Sequence, residues 1–165
     1  MSKSHIKHLL LALTCVFACA FVLVGCKANG VIPSAADMEK ATTSAYFAEV
    51  NSVVGQFKGT LADFPTDVKE KNVTDMKSKL DDTQKLIDKF NQIDVPQNCT
   101  DIHKNYSDGL LQMQQALSDY ISIYTSFVNG DIDNSVLNQR MANVQKSYSM
   151  GIDLLNKADK LAAEM

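Results

Sequence analysis

The chain has 165 residues, 45% hydrophobic and 21% charged, with few glycines or prolines, which fits one folded domain and excludes disorder throughout. Its net charge of −3 excludes a strongly basic nucleic-acid binder, which needs clustered Lys and Arg to neutralise phosphates. The four cysteines, Cys15, Cys19, Cys26 and Cys99, do not have the spacing of a disulfide framework, because three crowd into the first 26 residues.

The N-terminal segment carries the most specific signal. Lys3 and Lys7 make a positive start with no acid nearby, and Leu9 to Val24 is apolar at every position except Thr14, the pattern of a secretory signal. Sixteen helical residues rise about 24 Å, short of the roughly 30 Å hydrocarbon core that a permanent span must cross. Leu23-Val24-Gly25-Cys26 follows: a branched apolar residue, a tolerant position, a small residue and a cysteine. These four residues resemble the lipobox of bacterial lipoproteins. The resemblance covers residues 1–26 and implies that Leu23, Val24 and Gly25 are read by a signal peptidase, that a diacylglyceryl group is attached to the Cys26 thiol, and that Cys26 becomes the first residue. It further implies acylation of the new amino terminus and an extracytoplasmic address on the cell membrane or outer membrane. Lys27, rather than Asp, follows the cysteine; in a two-membrane host this favours the outer membrane. Two or more acyl chains hold a protein firmly, whereas one holds only marginally. Losing residues 1–25 removes Lys3 and Lys7 and no acid, which takes the net charge from −3 to −5. Cys99 then has no intramolecular thiol partner, and a partly buried, inert thiol is the expected state.

Residues 26–34 read as the lipidated cysteine and a short tether containing Gly30 and Pro33, and residues 35–165 as a four-helix bundle. Ser34 is placed to cap a first helix whose buried stripe is Met38, Ala41, Ala45, Tyr46, Val50, Val53, Phe57 and Leu61. Phe64-Pro65 stops it. Thr66 or Asp67 is expected to cap a second helix with a heptad-like seam of Val73, Met76, Leu80, Thr83, Ile87 and Phe90. On its solvated face Asp67–Lys71, Asp75–Lys79 and Asp81–Lys85 are expected to pair four residues apart. Asp94-Val95-Pro96 breaks the pattern. A third helix is expected from about Asn98 to Phe127, ended by Asn129-Gly130, and a fourth from about Asp133, with Leu137, Met141, Val144, Tyr148, Ile152, Leu155 and Ala158 on its stripe. Short connections favour antiparallel neighbours in an up-down-up-down order.

Catalytic chemistry is scarce in this pattern. Catalytic triads and most zinc sites need histidine, and once the signal is removed His103 alone remains, which removes many enzymes. Cys99 and His103 lie four apart on one helix, but no further Cys or His completes a metal site. No glutamate has a histidine three residues on, which excludes the ferritin-like di-iron pattern. Asp131-Ile132-Asp133-Asn134 opens like a calcium loop but lacks its sixth-position Gly and twelfth-position acid, and reads better as a helix start. No cofactor, metal or nucleic-acid motif emerges. The apolar face of the third helix, however, is wide: Tyr120, Ile121, Ile123, Tyr124, Phe127 and Val128 exceed a minimal buried stripe. Packing against two neighbours accounts for this width; a partner or ligand surface is the alternative. The resulting expectation is a non-catalytic, membrane-anchored interaction or structural module of the envelope that meets another envelope protein. The alternative is a bundle holding an apolar ligand or lipid in a void lined by Tyr120, Tyr124, Met141 and Tyr148.

Overall fold

The computed structural model describes residues 34–165, and these form an all-α bundle with no strand among them. The helices are α1 (Ala35–Ala62), α2 (Phe64–Glu70), α3 (Val73–Phe90), α4 (Thr100–Asn129) and α5 (Asn134–Ala163), with a 3-10 turn over Gln97–Cys99 before α4. The ends are chemically specified. The Ser34 hydroxyl accepts from the Asp37 backbone N–H, and the Asp37 carboxylate accepts from the Ser34 N–H. The Asp133 carboxylate accepts from the N–H groups of Ser135 and Val136 at the start of α5. Gly130, with φ of 82°, closes α4 in the left-handed conformation that costs a glycine least.

The expected second helix is two helices. Lys71 takes φ of 59°, ending α2, and Asn72 restarts the chain as the cap of α3 by accepting from the Asp75 N–H. Thr66 and Asp67 are therefore not caps. Pro65 occupies the first turn of α2, where its missing N–H costs no helical bond. The break also re-routes the charges: Lys79 reaches back to buried Asp67 at 3.4 Å, Lys85 pairs with Asp82 at 2.8 Å, and Asp75 serves the Asn72 cap. None of the three expected four-apart pairs forms. At the other end, residues 34–42 and Ala45 are exposed, so Met38, Ala41 and Ala45 do not belong to the buried stripe, which begins at Tyr46.

Paired contacts give the packing directions. Tyr106 donates to Asp159, while Gly109 lies against Gly151 and Leu155, so α4 and α5 run in opposite senses. Asn91 with Ser107 and Gln84 with Gln114 show the same for α3 and α4. Tyr46 meets His103 on α4, and Phe64, just beyond α1, meets Tyr120 further along it, so α1 and α4 run in the same sense. One core joins all five helices, with Phe57, Phe64, Met76, Ile87, Phe90, Leu110, Leu117 and Leu137 fully buried. Burying each such side chain contributes about 1.5–3 kcal/mol.

The tightest joint is between α4 and α5. A Cβ on Gly151 would stand 2.6 Å from Met113 Cγ and 2.9 Å from the Gly109 carbonyl oxygen; one on Gly109 would stand 2.8 Å from Leu155 Cδ2. Two glycines facing each other bring backbone against backbone there, which no other residue permits at this separation.

Candidate functional site

Tyr120, Ile121, Ile123 and Tyr124 are buried, at 2–5% exposure, and Phe127 is half-buried. They are core residues rather than an exposed partner patch. Their width on α4 reflects its position: it packs against α3 on one side and α5 on the other, and Tyr120 also receives the edge of Phe64 at 5.3 Å. Met141 and Tyr148, expected around an internal ligand, are buried in the same core cluster. Val128, in the last turn of α4, is the residue of that wide face that is exposed, at 58%.

Where α3 and α4 meet near the start of α3 lies an open groove of about 500 Å³. Its apolar floor is Leu80 and Ile121, and Ser118, Ser122, Ser126 and Asn129 line its α4 wall. The serines and Asn129 recur at helical spacing on one flank of α4, a polar stripe beside the apolar one that the sequence carries but that only the position of α3 turns into a groove.

Cys99 and His103 sit at the junction of α1, α3 and α4. Cys99 is fully buried; burial raises its thiol pKa, against a smaller lowering by Thr43, and Sγ donates to Asn98 Oδ1 at 3.5 Å. His103 stacks on Phe90 at 4.5 Å and 14° and lies 5.9 Å from the Tyr46 ring. Burial lowers the His103 pKa, and its Nδ1 has no hydrogen-bond partner. Thiol and imidazole are thus both displaced towards their neutral forms, the opposite of the thiolate–imidazolium pair that a cysteine nucleophile uses. Above them the Tyr46 hydroxyl is buried without a partner, and burial pushes its pKa up. Asn98 covers this junction from outside, donating to Glu39 at 3.2 Å and Thr43 at 3.4 Å.

No group of three or more His, Cys, Asp or Glu side chains among the described residues is arranged to hold a metal ion. No described helix is long and apolar enough to cross a membrane. Leu23, Val24, Gly25 and Cys26, the expected processing and lipidation residues, lie outside the described residues.

Comparison with curated proteins and with solved structures finds no match to the chain. Comparison with known families matches residues 40–157, from the second turn of α1 to near the end of α5, so that what the family shares is the bundle. The chain belongs to DUF6376, a family of unknown function.

Proposed function

We propose that the protein is an extracytoplasmic bacterial lipoprotein, held to a cell membrane or outer membrane by acyl chains on Cys26, whose bundle serves as a non-catalytic interaction or structural module of the envelope. The observation that carries this reading is Leu23-Val24-Gly25-Cys26 at the end of a sixteen-residue apolar run, eight residues before the first capped turn at Ser34. A thiolate is the side chain best suited to thioether formation, and a small Gly25 leaves the adjoining peptide bond open to a peptidase. After cleavage, residues 27–33 would span at most about 25 Å, which would keep the bundle close to its membrane.

The groove between α3 and α4 is open to solvent, which supports a role at the surface over a ligand held inside. Tyr120, Tyr124, Met141 and Tyr148 are buried together with the rest of one apolar cluster, which leaves the helix flanks and loops to meet a partner.

Crosslinking in the native envelope, followed by identification of the captured proteins, tests the role: a reproducible envelope partner is expected. A tightly bound lipid in the purified domain, with no partner captured, would replace this reading with ligand carriage. Cys26→Ser tests the anchor: the variant is expected to accumulate unprocessed or to leave the lipidated fraction. A correctly cleaved Cys26→Ser protein that still partitions into detergent would contradict anchoring by lipid.

A further inference from the structure

The tip between α4 and α5 brings together three features that are individually ordinary. Asn129 is the last residue of α4, is exposed, and its side-chain amide makes no hydrogen bond to the described residues. Gly130 follows it with φ of 82°, and a Cβ built there would meet nothing within 4 Å. Two backbone bonds secure the turn, from Gly130 N–H to Phe127 O at 3.1 Å and from Asp131 N–H to Ser126 O at 2.8 Å, both at an exposed helix end where local opening costs least.

We infer that Asn129 is a site of spontaneous covalent modification, in which its amide is converted to a carboxylate through a cyclic imide. The Gly130 backbone nitrogen, having given its proton to solvent base, attacks Asn129 Cγ. The new N–C bond closes a five-membered ring, and the side-chain nitrogen leaves as ammonia after taking a proton from water. Water then opens the imide at one of two carbonyls. Opening on the side-chain carbonyl gives aspartate; opening on the backbone carbonyl gives isoaspartate, with the main chain routed through the former side chain. Water is the only co-reactant, and nothing is oxidised or reduced.

The selectivity comes from the neighbour. Attack requires an unhindered nitrogen, and among the asparagines of residues 34–165 Asn129 alone precedes a glycine. Asn72, Asn91, Asn98 and Asn105 are followed by larger residues and have their side chains engaged with Asp75, Ser107, Glu39 and the Asp101 carbonyl respectively. Asn134, at the start of α5, precedes Ser135, whose backbone N–H is held by the Asp133 carboxylate at 2.8 Å, and Asn51, Asn138, Asn143 and Asn156 lie inside helices, where every turn restrains the backbone nitrogen that would attack.

The consequence is electrostatic. A carboxylate at position 129 stands at the negative end of the α4 dipole, within four residues of Asp131 and Asp133, and on the wall of the α3–α4 groove. The helix end and the two aspartates oppose the new charge, and Lys77 on the same groove offsets part of it, so the tip is expected to fray while the Gly109–Gly151 joint stays closed.

Incubating the full chain at neutral to mildly alkaline pH and mapping its peptides by mass spectrometry over time tests this. Asn129 is expected to convert first and several-fold faster than any other asparagine of residues 34–165, to yield isoaspartate together with aspartate, and to accelerate as pH rises. Asn129→Gln, whose ring closure is unfavourable, is expected to lose the reaction, and hydrogen exchange at Gly130 and Asp131 is expected to quicken in the converted protein. Three results would overturn the inference: conversion spread evenly over other asparagines, aspartate as the sole product, or an intact Asn129 after a free peptide of residues 127–132 has fully converted.

Discussion

The α4–α5 seam and the aromatic seam that α1, α2 and α3 make with α4 close the same core by different means. Between α4 and α5, Gly109 and Gly151 let the two backbones touch, and no polar atom is stranded at the contact. At the second joint, aromatic rings from three helices meet α4: Tyr46 of α1 on His103, Phe90 of α3 on His103, and Phe64 of α2 on Tyr120. That second seam carries the unpartnered hydroxyls of Tyr46 and Tyr120 and the unpartnered Nδ1 of His103. A backbone contact is intolerant of any added atom, whereas a ring contact is intolerant of lost ones and retains polar groups whose removal costs little. The first seam therefore fixes the geometry of the bundle, and the second is where its stability can be tuned.

The largest test of that contrast is Phe90→Ala. Phe90 is fully buried and holds both His103 and Tyr106, so the substitution should cost about 3–5 kcal/mol in chemical denaturation. A loss near 1 kcal/mol would show that the ring seam collapses onto the gap. Gly151→Ala comes next, at about 1–3 kcal/mol, because the methyl meets Met113 Cγ and the Gly109 oxygen. Its control is Gly55→Ala on α1, where the methyl meets nothing and helix propensity should add up to about 1 kcal/mol of stability. Equal effects at the two glycines would show that Gly151 stands at no close backbone contact.

Smaller effects probe the stranded polar atoms. Tyr46→Phe keeps the ring and deletes a buried hydroxyl without a partner, so thermal unfolding should show no loss and a gain of up to about 1 kcal/mol. A clear loss would mean that the hydroxyl is paired in solution. The smallest effect is the pH dependence of His103. Burial holds its folded pKa below the ordinary 6.5, so the unfolded chain binds the proton more readily and stability rises with pH. The contribution is fully present above 6.5 and is lost as pH falls through the lower folded pKa. His103→Gln should flatten the wild-type decline in melting temperature between about pH 7 and 5; an unchanged slope would exclude His103 as its source.

Much of the bundle is legible in the sequence because its devices are local. The helical stripes, the Ser34 and Asp133 caps and the Gly130 stop each lie within a few residues of the end they specify. The break at Lys71 escapes this reading because a lysine in the left-handed region announces nothing, although Asn72 three residues before Asp75 is a cap signature that points to it. The Gly109–Gly151 joint is invisible for another reason: a periodicity of apolar residues assigns no weight to glycine, and the contact exists only once two helices are aligned. The same limit turned the broad face of α4 into two competing readings. Tyr120 and Ile123 look alike on a helical projection whether the second neighbour is another helix of the bundle or another protein. The α3–α4 groove needed the relative placement of two elements for the same reason.

Intact mass spectrometry of the protein taken from its native membrane tests the central claim, anchorage through Cys26, most directly. The account predicts a chain that begins at Cys26 and carries the mass of a diacylglyceryl thioether. A chain that retains residues 1–25, or that begins at Cys26 with an unmodified thiol, would contradict it.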